Sequence, residues 1–276
     1  MTFKTMIAKE GICALLLLLL LCGLAGCQRT QNGQTEEKRI KIVVGVDKYQ
    51  PYSYLDMNGN NAGVDVELAT IVFHSLGYEP EFRFISWQEK NSLLDAGSID
   101  CIWSCYSMNE REELYQWAGP YLNSPQVIAV RTDSGIYAFD DLADKRVGVQ
   151  VTTRAAALFL HETDSELPEV YQVNIFATAD DMFAAMRKGY VDAIAGHEAV
   201  INELITEGNG KFRRLEASPQ ISKAGVAFKK GTHLELIEQI NQLFRELTED
   251  GTIAGIVEKY GLDASFSVIG GGIHEE

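Results

Sequence analysis

One arginine follows a run of apolar residues in the stretch "IDCIWSCYSMNEREELYQWAGPY", residues 99–121. The run ends near the small side chains of Cys105 and Ser107, and Arg111 comes shortly afterwards. A guanidinium group binds a carboxylate through two parallel hydrogen bonds and stays charged at any relevant pH. Small residues at a strand end let a ligand reach the main chain. We therefore interpret this stretch as half of a binding site for a small molecule.

The sequence supports a catalytic site or a metal site less than it supports a binding site for a small molecule. It contains no nucleophile elbow, phosphate-binding loop or metal motif. His197 and Glu198 could form a proton-transfer pair, since imidazole titrates near pH ~6.5, but adjacent helical residues point about 100° apart. Cys101 and Cys105 are too far apart on one strand for a disulfide and have no other metal ligands nearby, so we expect two small buried residues. We expect no enzymatic activity, no metal and no cofactor.

The N-terminus predicts export. Lys4 and Lys9 precede the apolar run "GICALLLLLLLCGLAG", which is too short for a stable membrane span and is typical of a secretory signal. The run leads into "LAGC", which resembles the lipobox of bacterial lipoproteins. That resemblance implies acylation of Cys27 and removal of residues 1–26, and the alternative is an ordinary signal cleaved elsewhere.

Two further properties describe the exported protein. Residues 27–38 are polar and lack periodicity, so they predict a flexible lipidated tether that attaches the protein to the membrane. The formal net charge of −15 at pH 7 argues against nucleic acid or an anionic bilayer as a partner surface.

Short apolar runs alternate with amphipathic stretches along the rest of the chain. Strands are predicted at 39–46, 81–85, 99–104, 145–151, 171–177 and 190–196, and helices at 63–77, 87–97, 152–162, 178–189, 197–208, 234–251 and 252–261. The order β-α-β-α-β occurs twice, and this order is typical of a mainly parallel sheet with helices on its faces. We therefore predict an α/β fold of two lobes.

Two extended segments connect the lobes. They cover residues 124–133 and 222–233, and the final helices are expected to return to the first lobe. The predicted lobes are then 39–126 with 226–276, and 127–225. Two such crossings would confine the relative motion of the lobes to a hinge. The carboxyl ends of the strands in both lobes would line the cleft between them.

The motifs of the chain resemble, in order, those of a known family. They include "VGVDKYQPYSY", "GVDVELA", "LLDAGSIDCIWSCYSMNER", "MRKGYVDAIAG" and "LTEDGTIAGIVEKYG". Together they resemble the extracellular solute-binding proteins of ABC transporters, the polar amino-acid-binding class, family 3. The resemblance implies a type II periplasmic-binding-protein-like clamp. It also implies an extracytoplasmic monomer that captures an amino acid or related carboxylate and delivers it to a membrane permease.

The resemblance also assigns contacts in the first lobe. Arg111 matches the arginine that pairs with the ligand α-carboxylate. Ser107 and the backbone at Cys105 match the positions that receive the α-ammonium group. Tyr49 and Trp87 match the aromatic residues that enclose the ligand side chain, since flat rings give a large contact with little rotamer freedom to lose.

The remaining matches lie on both sides of the cleft. Asp47 is expected to orient the loop that carries the tyrosine, and Tyr106 belongs to the same wall. Gln150 and Thr153 match contacts in the second lobe, and the free amides where Thr153 opens a helix would favour a carboxylate. Thr152 stands where the family usually has glycine. We expect this threonine to restrict φ and to give the loop a different shape.

The residues at positions 197 and 198 decide whether the predicted ligand is an amino acid or a carboxylate without an amine. The family generally has an ammonium-binding aspartate where His197 stands, and losing that bond of roughly 1.5–3 kcal/mol would weaken amino-acid binding about ten- to hundredfold. Glu198 could supply a substitute anion. Arg154 is expected to be either a second cation at the cleft mouth or a solvated residue. If Glu198 supplies no anion, the pocket formed by Arg111, Arg154 and His197 would suit a carboxylate without an amine, such as a dicarboxylate.

Two alternative functions remain open from the residues. Some relatives of this fold are prephenate- or arogenate-type dehydratases, in which a cleft carboxylate acts as general acid, and the pair His197 and Glu198 would serve here. A sensory binding module is the other alternative. It would need a separate membrane receptor.

Overall fold

The computed structural model describes residues 39–160 and 166–269. The predicted signal peptide 1–26, the lipidation site Cys27 and the tether 27–38 lie outside the described residues. Within those residues, none of the helices combines the length and the apolar character that crossing a membrane requires.

The strands have short, mostly buried sequences. They are β1 (Ile40–Val46), β2 (Tyr54–Leu55), β3 (Asn61–Ala62), β4 (Tyr78–Phe84), β5 (Cys101–Ser107), β6 (Gln116–Arg131), β7 (Arg146–Gln150), β8 (Gln172–Phe176), β9 (Ala193–His197), β10 (Phe212–Arg214) and β11 (Gln220–Phe228). Every strand in the sequence prediction is present, with ends shifted by a few residues.

The helices follow the predicted order. They are α1 (Val64–Ser75), α2 (Lys90–Asp95), α3 (Arg154–Phe159), α4 (Ala179–Arg187), α5 (Glu198–Glu207), α6 (Leu234–Glu249), α7 (Thr252–Lys259) and α8 (Ala264–Ser267), with 3₁₀ turns at Trp87–Glu89 and Phe139–Leu142. Glycines at 77, 97 and 189 follow α1, α2 and α4 with positive φ angles of 80°, 69° and 71°. Glycine takes this left-handed conformation at little cost, so the predicted helix stops are confirmed.

One mixed sheet runs through the described residues. Its order is β4-β1-β5-β11-β6-β9-β7-β8, with β10 beside β6. The strands β4, β1 and β5 are mutually parallel at one end, and β9, β7 and β8 are mutually parallel at the other. The antiparallel strands β6 and β11 lie between these groups. The α/β fold with a mainly parallel sheet flanked by helices is therefore confirmed.

The long strand β6 belongs to both groups. Residues Gln116 to Gln126 pair with β11, and residues Gln126 to Val130 pair with β9. The strand β11 returns beside it and pairs with β5 through Ala224–Phe228. These two strands form the two predicted crossings. From Arg39 onward the chain clusters as one compact unit, so the lobe boundaries stay a prediction.

The C-terminal helices return to the first group of strands. Lys259 donates to Glu67 on α1 at 2.6 Å, and the backbone N–H of Gly63 donates to the Tyr260 hydroxyl at 3.2 Å. Ile240 on α6 and Val257 on α7 are fully buried in the same core cluster as residues of α1 and β1. The last helices therefore pack against the first group of strands, and their membership of a first lobe stays a prediction. Burial of apolar side chains, at about 25 cal/mol per Å², favours that packing.

Candidate functional site

The predicted contact residues lie around one small cavity of about 20 Å³, room for about one water molecule. Its lining consists of Asp47, Tyr49, Trp87, Ser104, Cys105, Tyr106, Ser107, Arg111, Gln150, Thr153, Arg154 and His197. Every predicted contact residue is among them except Thr152, and Ser104 is an addition. Whether these residues bind a ligand stays a prediction at this point.

Strand ends bring these side chains together. Asp47 follows β1, Ser107 ends β5, Gln150 ends β7 and His197 ends β9. Because the parallel strands of each group end at the same edge, both groups present their carboxyl ends to this cavity. The side chains therefore come from both ends of the sheet.

Arg111 lies in the loop after β5, with its guanidinium carbon 5.1 Å from the centre of the Tyr106 ring. Its Nη1 donates to the Ser107 carbonyl at 3.2 Å, and its Nη2 reaches the Thr152 carbonyl at 3.5 Å. Among the described residues, no carboxylate lies within salt-bridge distance of it. The positive charge on the cavity wall is therefore available to an anion.

Cys105 and Ser107 occupy the end of the buried strand β5. The Cys105 backbone has φ 45°, and its N–H donates to Asp65 on α1 at 2.6 Å. The Ser107 hydroxyl donates to Asn109 at 3.1 Å, which leaves its oxygen lone pairs as acceptors on the cavity wall. Cys101 and Cys105 are both buried, as the sequence predicts, and both are free thiols.

Aromatic rings form the apolar part of the wall. Tyr49 and Trp87 are nearly buried, with 7% and 6% of their surface exposed. The Trp87 ring meets Tyr106 edge-on at 5.3 Å between ring centres, and Tyr49 meets His197 edge-on at 6.0 Å. These contacts fix the ring orientations.

Asp47 and Gln150 connect the two sides of the cavity. The Nε2 of Gln150 donates to the Asp47 carboxylate at 2.6 Å and to the Ala177 carbonyl at 3.3 Å. The Oε1 of Gln150 is buried without a hydrogen-bond partner in the described residues. Burial raises the pKa of Asp47, although the bond from Gln150 opposes that shift. An anionic oxygen and an open acceptor thus lie side by side.

The loop after β7 differs from the expectation. Thr152 adopts φ 54°, the left-handed conformation that a glycine would take, so the prediction that threonine excludes it is wrong. Such a conformation costs a β-branched residue of order 1–3 kcal/mol and persists only where its surroundings hold it. Here the Thr152 hydroxyl accepts a hydrogen bond from Lys90 at 2.7 Å, and its carbonyl contacts Arg111.

Thr153 acts as the N-cap of α3. Its hydroxyl donates to the Gln150 carbonyl at 2.7 Å and accepts from the Ala156 N–H at 3.2 Å. Since α3 has 6 residues and its cap is filled by Thr153, the expected carboxylate site at this helix start lacks support.

Arg154 lines the cavity, but its charge is already paired. Its guanidinium group binds the Glu110 carboxylate and the Gln220 side-chain oxygen, and 2% of the residue is exposed. The prediction of a free second cation at the cleft mouth is therefore wrong, and so is the solvated alternative.

His197 is buried where β9 meets β6. Its Nδ1 lies 2.9 Å from the Ser124 hydroxyl and 3.7 Å from the Cys105 sulfur, and its ring contacts the Gln126 amide at 3.2 Å. Burial, assisted by the charge of Arg111, lowers the pKa of His197 to about 3. The ring is therefore neutral at physiological pH and adds no positive charge to the cavity.

Glu198 lies on another surface. Its carboxylate pairs with Arg214, and both residues line a separate hollow of about 570 Å³ behind the two crossing strands. The expectation that Glu198 supplies the missing anion is wrong for this arrangement. His197 and Glu198 also face different cavities, which removes the basis for a proton-transfer pair.

Lys90 is a functional candidate that the sequence analysis missed. This first residue of α2 is 2% exposed, and its Nζ lies 5.0 Å from the centre of the Trp87 ring and 5.6 Å from that of Tyr106. Burial, with a further contribution from Arg111, lowers the pKa of Lys90 to about 7. Lys90 comes three residues after Trp87 and therefore lies on the same helical face, and this spacing could have identified it as a site residue from the sequence.

Comparison with known proteins gives a consistent result. The sequence model described as "Bacterial extracellular solute-binding proteins, family 3" matches residues 42–263. The L-cystine-binding protein TcyA of Bacillus subtilis (strain 168) is 25% identical over 274 residues, which cover 93% of this chain and 99% of that protein. The arginine-binding extracellular protein ArtP of the same organism is 26% identical over 263 residues, 89% of this chain and 96% of ArtP.

A solved structure has the same fold. It is a substrate-binding protein of an ABC uptake transporter from Streptococcus pneumoniae with bound histidine. It superposes with a TM-score of 0.72 and 26% sequence identity, covering 80% of this chain and 92% of that one.

Proposed function

This chain belongs to the bacterial extracellular solute-binding proteins, family 3, and from that premise we propose that it is the substrate-binding component of an ABC importer. It captures an amino acid or related carboxylate in the cavity between the two strand groups and delivers it to a membrane permease. The printed names of TcyA, ArtP and the Streptococcus pneumoniae protein support an amino-acid ligand.

The main observation in support of the proposal is that no carboxylate of the described residues pairs with the charge of Arg111. Its guanidinium group lies on the cavity wall with two carbonyl oxygens as its hydrogen-bond partners. A ligand carboxylate replaces these two neutral acceptors by an anionic one, which the planar guanidinium group can bind through two parallel hydrogen bonds. Arg111 therefore binds the α-carboxylate in this proposal.

The opposite wall suits the α-ammonium group. Asp47 supplies a buried carboxylate, and Gln150 supplies a side-chain oxygen that has no hydrogen-bond partner among the described residues. The Ser107 hydroxyl offers lone pairs from the third side. These acceptors take over the role that the family's aspartate has at the position of His197.

Binding requires the two strand groups to separate and close again. The cavity of about 20 Å³ is too small for an amino acid with the side chains as they stand. The bonds from Gln150 to Asp47 and from Lys90 to Thr152 join the two sides, and they break when the cleft opens. The crossing strands β6 and β11 act as the hinge between residues 39–126 with 226–276 and residues 127–225.

Isothermal titration calorimetry tests this function. We expect the purified protein to bind at least one L-amino acid with a dissociation constant in the micromolar range or tighter, and the deamino analogue of that amino acid more weakly. Tighter binding of the deamino analogue would contradict the ammonium site. Absence of binding across the proteinogenic amino acids and cystine would contradict the proposed function.

The protein is held outside the cytoplasmic membrane by a lipid on Cys27 in this proposal. The lipobox-like "LAGC" and the apolar run before it support the anchor. Metabolic labelling of expressing cells with a radioactive fatty acid should label the unaltered protein and leave the variant Cys27→Ser unlabelled. Equal labelling of both would contradict acylation at this residue.

A further inference from the structure

Lys90 is a buried cation without an anionic partner. The hydrogen bonds of its ammonium group go to the Thr152 hydroxyl at 2.7 Å and to the Trp87 carbonyl at 3.4 Å. No carboxylate of the described residues lies within salt-bridge distance of it. A buried ammonium group with neutral partners is costly, and such groups are usually paired with an acid.

Lys90 and Arg111 lie on the same side of the cavity. Both contact Thr152, Lys90 at its hydroxyl and Arg111 at its carbonyl, and both lie over the Tyr106 ring at 5.6 Å and 5.1 Å from its centre. The ammonium group lies just behind the wall formed by Trp87 and Tyr106. Its four-carbon side chain is flexible, so the ammonium group can turn from Thr152 towards the cavity.

The charges of the site do not balance for an ordinary amino acid. Arg154 is neutralised by Glu110, and His197 is neutral, which leaves Arg111 and Lys90 as cations and Asp47 as the anion. An α-carboxylate on Arg111 and an α-ammonium group beside Asp47 satisfy two of these three charges. The protonated form of Lys90 then has no counter-ion among these groups.

We propose that Lys90 is a specificity-determining residue that selects an amino acid with a second carboxylate in its side chain. This inference rests on the proposed function. The second carboxylate accepts a hydrogen bond from the Lys90 ammonium group beside Trp87 and Thr152, while Arg111 holds the first. A cationic side chain, such as that of arginine, is repelled by the same group.

Proton uptake gives a signature that a purely structural lysine would not produce. The charged groups that face Lys90 are Arg111 from the loop after β5 and Asp47 from the loop after β1, and the neutral Tyr106 packs on it from β5. Since the pKa of Lys90 is lowered to about 7, the group is mostly neutral at pH 8, and a bound carboxylate raises its pKa and recharges it.

The experiment compares L-glutamate with its uncharged isostere L-glutamine and with L-arginine, by calorimetry on the purified protein. The variants are Lys90→Met and, as a matched control, Lys41→Met. Lys41 lies near the start of β1, and its side chain is 73% exposed. Titrations at pH 8 in two buffers of different ionisation enthalpy measure protons taken up. Thermal denaturation establishes that each variant is folded.

We expect the unaltered protein to bind L-glutamate at least tenfold more tightly than L-glutamine or L-arginine, with proton uptake. Lys90→Met should lose that preference and the proton uptake, and Lys41→Met should keep both. If the unaltered protein prefers L-glutamine or L-arginine, and Lys90→Met keeps that preference, the inference is overturned. The proposed function is not affected by that result. Absence of binding to these three ligands would overturn the inference, and absence of binding across the proteinogenic amino acids and cystine would overturn the proposed function as well.

Discussion

The carboxylate of Asp65 accepts the backbone N–H of Cys105 at 2.6 Å, which ties the start of α1 to the wall of the cavity. Its other oxygen accepts the Tyr121 hydroxyl at 2.8 Å, from the first crossing strand. Asp65 is fully buried, and Cys105 has φ 45° at this point. One acid side chain therefore links the helix α1, the strand β6 and the backbone on the cavity wall.

The burial of Asp65 predicts an unusual pH dependence, although its hydrogen bonds from Tyr121 and Cys105 oppose the shift in its pKa. Burial raises the pKa of Asp65 from 3.8 to about 7, so the folded protein holds a proton that the unfolded chain releases. The contribution to the free energy of unfolding therefore falls as pH rises from about 4 to 7, by about 1.4 kcal/mol per pH unit. Asp65→Asn, which keeps an acceptor for Cys105, should lack that fall. Urea denaturation across this range measures it.

The control for this comparison is Asp95→Asn, an exposed aspartate at the end of α2. We expect its stability profile to run parallel to that of the unaltered protein. If Asp65→Asn also gave a parallel profile, the carboxyl group of Asp65 would bind no more protons in the folded protein than in the unfolded chain, and the raised pKa would be wrong.

His197 predicts a dependence of the opposite sign. Its pKa is lowered from 6.5 to about 3, so the unfolded chain binds a proton that the buried ring does not. The free energy of unfolding therefore decreases as pH falls below 6.5, by about 1.4 kcal/mol per unit from this group. His197→Gln should be free of this loss between pH 6.5 and 4.5, while the exposed His233→Gln should behave as the unaltered protein does. An identical loss in His197→Gln would show that the ring is protonated in the fold.

Gly63 predicts a large effect on stability. It precedes α1 with φ 123°, and an added Cβ would lie 2.2 Å from the Tyr52 carbonyl oxygen. Gly63→Ala must displace the loop that carries the tyrosines, and we expect a loss of about 2–5 kcal/mol in the free energy of unfolding. Gly135→Ala adds a methyl group where no atom lies within 4 Å, and we expect a change within about 0.5 kcal/mol. Similar midpoints for the two variants would contradict the close approach.

The sequence predicted the positions of the site better than their charges. The family resemblance assigned the cavity residues position by position, and the local pattern placed most of them at strand ends. The charge of Arg154 is compensated by Glu110, and burial together with the charge of Arg111 keeps the His197 ring neutral. These partners are far away in sequence, so no local pattern shows them.

Two other features escaped sequence analysis for different physical reasons. The strand β6 was predicted only as a connecting segment, because Pro120 and Pro125 within it favour a break in a strand. Pairing with β11 continues through Pro125, and its register shifts between Leu122 and Ala118, where Pro120 lies. Lys90 was overlooked because lysine on a short helix usually faces solvent, and only the fold places Thr152 against it.

The most direct test of the account is the affinity of Arg111→Met for the amino acid that the unaltered protein binds best. Removing one partner of a buried, hydrogen-bonded ion pair costs roughly 2 kcal/mol or more, so we predict a loss of at least about thirtyfold in affinity. The matched control Arg245→Met, an exposed arginine on α6, should bind as the unaltered protein does. Unchanged affinity of a folded Arg111→Met protein would contradict the claim that this guanidinium group holds the ligand carboxylate.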